Sequence, residues 1–289
     1  MTARSDTGPS GASGSSNLPG WVRRLPLHLF VIGLMIVWLI PTIGLFVNSF
    51  RSQTESTSSG WWTALFPPEL FSVDNYAYVL GRNGIGNAFL NSLFIAVPST
   101  VIPIFVAAFA AYAFAWMRFP GRYLLFIGVV GLLVVPLQTT FIPIQKLFAT
   151  FGLNGELAAV WLAHTGYGLP FAIYLLRNFM AELPREVFES ADIDGAGWAT
   201  KFFRLVLPMT IPALAALAIF QFLFTWNDLL VALVYIGVNT DNQPMTIVVA
   251  NLVQSTGGGM QYLAAAAFLT MALPLVVFLA LQRYFVRGL

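Results

Sequence analysis

Residues 88–116 read AFLNSLFIAVPSTVIPIFVAAFAAYAFAW, a stretch without a single Asp, Glu, Lys or Arg. The hydrocarbon core of a bilayer is about 30 Å thick, and a helix needs about 20 consecutive apolar residues to cross it. The stretch is longer than this minimum. It therefore predicts a transmembrane helix that is tilted or that projects beyond the bilayer.

Five further apolar runs of comparable length lie on either side of this stretch. They are Leu27 to Ser49, Tyr123 to Ile144, Leu157 to Leu176, Met209 to Ile236 and Tyr262 to Leu281. Of the 289 residues, 58% are hydrophobic and only 9% are charged, whereas a water-soluble domain carries about 25% charged residues. The sequence excludes a water-soluble globule and predicts an all-α integral membrane protein with six transmembrane helices.

The N-terminal residues differ from the rest of the chain in composition. Residues 10–17 consist almost wholly of Ser, Gly and Ala, and they lack apolar periodicity, which is typical of disorder. Arg23 and Arg24 precede the first apolar run as in a signal peptide, but the run is too long for one and no cleavage pattern follows it. We expect a disordered cytoplasmic tail over residues 1–24, and a transmembrane domain over residues 25–289 whose first helix is not cleaved.

The distribution of Lys and Arg predicts the orientation, because short loops rich in these residues stay on the cytoplasmic side. If the N-terminus is inside, only Arg51, Arg82 and Lys146 fall on the outer side. Both termini are therefore predicted to be cytoplasmic, and residues 177–208 form the largest inner loop. The glycine run at 257–259 then lies outside, where we expect a mobile turn or, alternatively, a contact with an external partner.

Several kinds of site are not supported by the residues present. The chain has no cysteine, and neither His28 nor His164 has a second histidine or a carboxylate at helical ligand spacing, so no metal site is predicted. A phosphate-binding P-loop needs a lysine directly after glycine, and neither Lys146 nor Lys201 follows one. The chain is predicted not to be an enzyme, and ATP must be handled by another polypeptide.

The largest inner loop holds five of the 12 acidic residues of the chain. Pro184 suits the first turn of a helix, because its missing amide donor has no partner there and its φ is already helical. Val187, Phe188 and Ala191 then share one apolar face. We expect a short amphipathic helix from Pro184 to Ile193.

A second short helix is expected after an Asp194-Gly195 turn, because glycine accepts positive φ without steric cost. Apolar residues recur beyond it at helical spacing, at Trp198, Phe202 and Leu205. We expect this helix to run from Gly197 to Leu207 and Pro208 to close it. The two helices suit docking of a protein; the alternative is a loop that lies on lipid headgroups, although anionic lipid would repel its acidic first helix.

The inner loop resembles a known motif. Residues 189–196 read ESADIDGA, and Phe202, Phe203, Val206, Leu207 and Pro208 follow; together they resemble the EAA loop of permease subunits of binding-protein-dependent ABC importers, with Ser190 in place of the usual first Ala. Three further segments resemble the carbohydrate branch of that family, close to the maltose-type second permease: residues 183–186, 226–228 and 282–289.

The resemblance implies the ABC importer type I permease fold and a loop whose helices insert into a cleft of a separate ATPase subunit. Glu189 would face a basic group of that subunit. The residues that the resemblance assigns to ATPase docking are Glu189, Ser190, Ala191, Asp194, Gly195, Ala196, Phe202, Leu207 and Pro208. No cofactor would bind this chain, since ATP and Mg would be held by the ATPase.

The resemblance also implies partners, cargo and location. The partners would be a second permease subunit, a dimer of ATPase subunits and an extracytoplasmic sugar-binding protein, in a lipid bilayer and without nucleic acid. The complex would move a sugar or oligosaccharide through the plasma membrane of a bacterium or archaeon, in which this chain is a multi-pass component. The residues do not specify which sugar.

One charged residue, Asp228, lies in the fifth apolar run. A carboxylate at the centre of a transmembrane helix costs about 2.5–3.5 kcal/mol and usually faces a partner or a polar cavity. With Trp226 and Asn227, Asp228 offers an aromatic face beside hydrogen-bonding groups, which would suit a sugar in a substrate path. The alternative is a structural role, in which Asp228 bonds to a neighbouring helix end.

Two other classes of protein are alternatives to an ABC importer subunit. A secondary transporter or channel would need intramembrane ionisable residues for ion coupling, and the spans offer little beyond Asp228. An intramembrane hydrolase would need Ser, His and an acid close together, and His164 is expected to lack an acidic partner.

Overall fold

The computed structural model describes residues 20–65, 71–81, 84–255 and 259–288. Its regular secondary structure in these ranges is entirely helical, as predicted. Several predicted features lie outside the described residues: Arg82, Gly257, Gly258 and residues 1–19 of the tail.

The α-helices of the described ranges are numbered in chain order. They are α1 Gly20–Asn48, α2 Gln53–Ser58, α3 Asp74–Gly81, α4 Ile85–Trp116, α5 Arg122–Gly131, α6 Phe141–Thr150, α7 Leu157–Ala181, α8 Arg185–Ile193, α9 Trp198–Lys201, α10 Leu207–Met209, α11 Ile211–Trp226, α12 Leu230–Tyr235, α13 Met245–Ser255 and α14 Met260–Gly288. Short 3₁₀ segments cover Trp61–Leu65, Leu132–Val134, Leu137–Thr140 and Thr240–Asn242, and a π-helical turn covers Phe202–Val206.

By packing, the chain divides into two compact units, of which the first ends at Leu45 and the second begins at Phe46. The described part of the first unit is helical from Gly20 onward. Residues 20–24 are therefore helical and not part of a disordered tail as predicted. Most side chains of this helix are apolar and exposed, which suits a helix that faces lipid.

Four helices are long and apolar enough to cross a membrane: Arg24–Asn48, Ile85–Trp116, Leu157–Ala181 and Met260–Ala280. Two bent helix pairs also qualify by composition. They are Arg122–Val134 with Leu137–Thr150 and Trp198–Met209 with Ile211–Trp226. The described residues thus contain four to six candidate spans, depending on whether each bent pair counts as one.

The third apolar run was predicted to be one continuous helix, and this prediction is wrong. The helix axis bends by 98° between Val134 and Leu137. Pro136 lies in this break with an extended backbone, at φ −62° and ψ 123°. Because proline has no amide hydrogen and its ring clashes with the carbonyl four residues earlier, a helix breaks there unless its neighbours compensate.

The fifth apolar run was also predicted to be continuous from Met209 to Ile236, and the structure interrupts it twice. A bend of 70° separates Met209 from Ile211, because Pro212 in the first turn of α11 cannot donate a backbone hydrogen bond to the preceding helix. Helix α11 ends at Trp226, and α12 begins only at Leu230. Pro208, expected to end the preceding helix, instead lies inside α10.

Small residues allow α4 and α7 to pack closely along their length. Ala107, Ala108 and Ala111 of α4 are buried in one cluster with Ala172 of α7. Close backbone approach through small side chains is a common way for helices to associate in membranes, where burial from lipid provides no hydrophobic gain. The α4–α7 pair is the scaffold against which the inner loop packs.

A buried arginine organises the segment that follows α1. The side chain of Arg51 is only 2% exposed. It donates hydrogen bonds to the Glu55 carbonyl at 2.8 Å, and to the carbonyl and hydroxyl oxygens of Ser59 at 3.2 and 2.6 Å. A residue expected only as a charge of an outer loop thus holds that loop together.

Candidate functional site

The first helix of the inner loop forms where the sequence predicts it. Pro184 occupies the position before the helix, and α8 runs from Arg185 to Ile193. Phe188 and Ala191 of the predicted apolar face are buried, with exposed fractions of 5% and 9%. The predicted amphipathic helix is therefore confirmed to within one residue.

Gly195 ends α8 in the left-handed conformation, with φ of +74°. Its amide donates to the Asp192 carbonyl at 3.1 Å, and the Ala196 amide donates to the Ala191 carbonyl at 2.9 Å. These two bonds satisfy carbonyl groups that the helix leaves unpaired at its end. A side chain at position 195 would strain this backbone, so the predicted requirement for glycine is confirmed.

The second helix of the loop continues further than predicted. It begins at Trp198 and extends to Met209, with a π-helical turn over Phe202–Val206. Such turns insert one residue into the helical repeat and are frequent at functional sites. The loop thus leads without interruption to the bend before α11.

Aromatic stacking joins both helices of the loop to α4. The Phe188 ring stacks on Trp116 with centroids 3.5 Å apart and ring planes at 13°, and the Trp116 indole donates to the Met180 carbonyl at 2.8 Å. Phe202, only 1% exposed, stacks on Phe109 at 4.5 Å. The end of α4 and the loop therefore form one packed unit.

The residues assigned to ATPase docking divide between two sides of the loop. Glu189, Ser190, Asp194 and Gly195 are exposed, whereas Ala191 and Phe202 are buried against the chain itself. Residues 196 and 207 are half-buried, and Pro208 is exposed. Ala191 and Phe202 are thus placed to support the exposed residues and are not accessible to a partner.

Two exposed apolar side chains of the same surface were not among the predicted site residues. Ile193 is 87% exposed and Trp198 is 58% exposed. Their positions flank the Gly195 turn. The signal available in the sequence was that Ile193 falls outside the apolar face formed by the buried residues of α8.

An ion pair between Lys201 and Asp192 bridges the two helices of the loop. Asp192 is largely exposed, and Lys201 is mostly covered. The pair holds the second helix against the end of the first across the Gly195 turn. It also removes Asp192 from the acidic residues that remain free for a partner.

The second predicted site surrounds the break between α11 and α12. Asp228 accepts a hydrogen bond from the Ala232 amide at 3.1 Å and so caps α12. The Asn227 amide group donates to the Leu223 carbonyl at 2.8 Å, and the Trp226 indole donates to the Thr270 carbonyl at 3.1 Å. Each of these polar groups contacts a helix, as the structural alternative for Asp228 anticipated.

His164 has an acidic neighbour, which corrects the expectation that it lacks one. Its Nε2 atom lies 3.6 Å from Asp228 Oδ2, and the imidazole is fully buried. Helical spacing in the sequence identifies partners only on the same helix. His164 and Asp228 lie on separate elements, α7 and the α11–α12 break, which contact each other only in the folded chain. A cavity of about 10 Å³ adjoins the pair and is lined also by Ser92 and Thr225; it has room for about one water molecule and none for a sugar.

Comparison with known proteins identifies the family of this chain. Residues 76–289 match the family described as binding-protein-dependent transport system inner membrane component. The chain is 53% identical over 270 residues to the osmoprotective compounds uptake permease protein GgtD of Synechocystis sp., covering 92% of this chain and 91% of that protein. It is 42% identical to the alpha-glucoside transport system permease protein AglG of Rhizobium meliloti, covering 92% and 97% of the two chains.

The fold is similar to that of a solved transporter. The match is to the crystal structure of a bacterial ABC transporter involved in the import of the acidic polysaccharide alginate, with a TM-score of 0.71, 20% sequence identity, and coverage of 92% of this chain and 96% of that chain. A component of a binding-protein-dependent system is neither the secondary transporter nor the hydrolase considered as alternatives. This chain belongs to the family of inner membrane components of binding-protein-dependent transport systems.

Proposed function

We propose that this permease subunit carries a sugar, oligosaccharide or related polyhydroxylated compound into the cytoplasm of a bacterium or archaeon, and that a separate ATPase drives it through the inner loop. The cargo class is supported by the names of relatives that span nearly the whole chain, which include permeases for osmoprotective compounds, alpha-glucosides and diacetylchitobiose.

In the proposed topology the bent pair Arg122–Val134 with Leu137–Thr150 counts as one span, and α11 with α12 forms another, while Trp198–Met209 stays on the cytoplasmic side. With the four long helices this gives six spans, with both termini in the cytoplasm. The excess of Lys and Arg in the predicted inner segments supports this orientation. It places the loop of residues 177–208 on the side where ATP is available. The ATP and Mg²⁺ bind to the partner ATPase in this proposal, since this sequence contains no P-loop.

The observation that carries the docking proposal is the two-sided construction of α8. Its buried side is stacked on α4 through Phe188 and Trp116, while Glu189 on its other side is exposed. A basic group in a cleft of the ATPase would pair with Glu189, and the exposed Ile193 and Trp198 would supply apolar contact. Movement of the ATPase would then displace the loop and α4 together, as packed elements transmit shifts as units.

The remaining partners follow from the same proposal. A second permease subunit would complete the pathway, and two ATPase subunits would bind the two inner loops. An extracytoplasmic binding protein would deliver the cargo; the related alginate transporter was crystallised in complex with a pentasaccharide-bound periplasmic protein.

Of the three residues at the break after α11, only Asn227 is placed to contact cargo in the proposed substrate path. Trp226 is buried and bonded to α14, and Asp228 faces His164 and α12. Asn227 is exposed and lines a separate cavity of about 370 Å³ with Thr246 and Thr270. We therefore assign direct contact with cargo to Asn227 and a supporting position to Trp226 and Asp228.

Copurification of the assembled importer tests the docking proposal. The ATPase subunit should be retained by the wild-type chain and lost with Glu189→Lys or Gly195→Pro, because the first reverses the docking charge and the second removes the turn. Truncating one member of a desolvated pair costs about 2–5 kcal/mol. Glu156→Lys is the matched control, since Glu156 is an exposed acid just before α7 on the predicted outer side. Equal retention in all variants, or cargo uptake by this chain alone, would refute the proposal.

A further inference from the structure

A strongly basic cavity adjoins the inner loop, and Glu189 of α8 forms part of its wall. It has a volume of about 510 Å³, and its cationic residues come from four helices and from the segment between α4 and α5. They are Arg118 before α5, Arg122 in α5, Arg177 in α7, Arg185 in α8 and Lys201 in α9. Basic residues that are far apart in the sequence thus line the same cavity.

Few carboxylates oppose these charges. Glu189 and Asp192 are the acids that line the cavity, and Asp192 is already paired with Lys201. Within the described ranges, no Asp or Glu forms an ion pair with any of the four arginines. The lining therefore carries a net excess of three positive charges, which creates a potential that attracts anions.

Arg177 has hydrogen-bonding capacity that the chain does not use. Its Nε atom is buried and has no hydrogen-bond partner among the described residues. One terminal nitrogen donates to Asn178 at 3.2 Å, and the guanidinium carbon lies 5.0 Å from the centre of the Phe126 ring. Asn178 and Phe126 thus hold the guanidinium in place where it lines the cavity, and no carboxylate neutralises it. A fixed, uncompensated guanidinium suits a bound oxyanion.

The position of the cavity indicates the source of the anion. Trp116 and Tyr112 in its wall belong to the last turns of the α4 span, where aromatic side chains mark the membrane interface. Beside Arg122, the apolar residues Tyr123 and Leu124 of α5 are each 74% exposed. A lipid whose phosphate occupied the cavity would have an apolar helix surface next to it for its acyl chains.

We infer that this cavity binds the phosphate of an anionic phospholipid headgroup, such as that of phosphatidylglycerol. Arginine recognises phosphate by two parallel hydrogen bonds, and basic cavities between transmembrane helices on the cytoplasmic side are suited to anionic headgroups. The bound lipid would connect α5, α7 and α8 next to Glu189. The position of the inner loop would then depend on the lipid composition of the membrane.

Native mass spectrometry of the full chain in neutral detergent tests this inference. The protein is incubated with equal amounts of phosphatidylglycerol and phosphatidylcholine, and the lipid retained is measured. The wild-type chain should retain phosphatidylglycerol preferentially, and Arg118→Gln combined with Arg177→Gln should reduce that retention about tenfold. Arg204→Gln is the matched control, because Arg204 is an exposed arginine of the same loop outside the cavity; its retention should equal that of the wild type.

Several results would overturn the inference that the cavity binds an anionic phospholipid. Equal retention of both lipids, or equal retention of phosphatidylglycerol by the wild type and the double variant, overturns the inference. Displacement of the lipid by inorganic phosphate alone, at an ionic strength at which chloride does not displace it, would mean that free phosphate is the ligand and would also overturn it. Arg118→Gln alone, at an exposed position, should lower retention without affecting folding. No ATPase takes part in this measurement, so its failure is distinguishable from failure of the docking proposal.

Discussion

The imidazole Nε2 of His164 lies 3.6 Å from the carboxylate Oδ2 of Asp228. The contact joins the first half of α7 to the break between α11 and α12, so that a histidine with no exposed surface faces the one carboxylate of that break. Asp228 in turn caps α12 through the Ala232 amide. The hydrogen bond from Ala232 holds the Asp228 carboxylate at the start of α12, where it faces His164 of α7.

Replacement of Asp228 should separate its two roles. Asp228→Leu removes the cap of α12 and the partner of His164, and loss of a helix cap costs about 0.5–2 kcal/mol. Asp228→Asn keeps an oxygen that can accept from the Ala232 amide, so it should be markedly less destabilising. Thermal unfolding of the purified chain in detergent measures both changes. Equal losses for the two variants would contradict the capping role.

Phe188→Ala should loosen the attachment of α8 to α4. The substitution removes the ring that stacks on Trp116, and truncation of a buried phenylalanine costs about 3–5 kcal/mol. Ile193→Ala is the control on the same helix, because Ile193 is almost fully exposed and its truncation should leave stability unchanged. The free energy of unfolding of each variant checks this expectation, which fails if Phe188→Ala unfolds like the wild type.

Gly168→Ala should disturb the contact between α7 and α11. A Cβ at position 168 would lie 2.7 Å from Gln221 Oε1 and 2.8 Å from its Nε2. Gln221 is buried and donates to the Ser99 carbonyl at 3.2 Å, so moving it leaves a buried polar group unpaired, at a cost of about 1–3 kcal/mol.

Gly166→Ala provides the matched comparison for that substitution. It lies in the same helix, and a Cβ there would meet no atom within 4 Å. Because alanine favours a helix over glycine by about 1 kcal/mol, this variant should be neutral or slightly more stable. Melting temperatures of the two variants in one detergent decide the matter, and an equal shift for both would rule out the proposed role of Gln221.

Arg51→Met should release the segment that follows α1. The substitution keeps much of the side-chain volume but removes the donors to Glu55 and Ser59, and each lost hydrogen bond to a charged group is worth about 1.5–3 kcal/mol. Limited proteolysis should then cut within residues 52–60 much faster. Lys146→Met, which removes an exposed basic residue from α6, should not change the cleavage rate; unchanged cleavage in Arg51→Met would show that the bonds are dispensable.

Local features of the inner loop could be predicted from the sequence because local chemistry determines them. The conformation of Gly195 and the apolar face of α8 depend on residues within one or two helical turns. The burial of Phe202 could not be predicted, since helical periodicity defines a face but not which element covers it. Phe109, which stacks on Phe202, belongs to a helix far away in the sequence.

The positions of the four long apolar helices were predictable from hydropathy, but the breaks in the third and fifth apolar runs were not. Pro98 and Pro103 lie inside the uninterrupted helix α4, whereas Pro136 lies in a bend of 98°. All three lack the amide donor, and the difference depends on how neighbouring helices support the backbone around each proline. The His164–Asp228 contact likewise depends on the packing of α7 against the break after α11.

The bend before α11 connects the inner loop to this helix, so a small rotation of the loop would move the far end of α11. Thr210 in the bend donates its hydroxyl hydrogen to the Val206 carbonyl at 2.6 Å, which joins the loop to α11 by more than the backbone. Helix α11 has 16 residues and is therefore about 24 Å long at 1.5 Å per residue. A tilt of about 10° about Thr210 would move the Trp226 end by about 4 Å. That displacement exceeds the 3.6 Å between His164 and Asp228. Such a tilt of α11 would therefore be able to open the contact between these two residues.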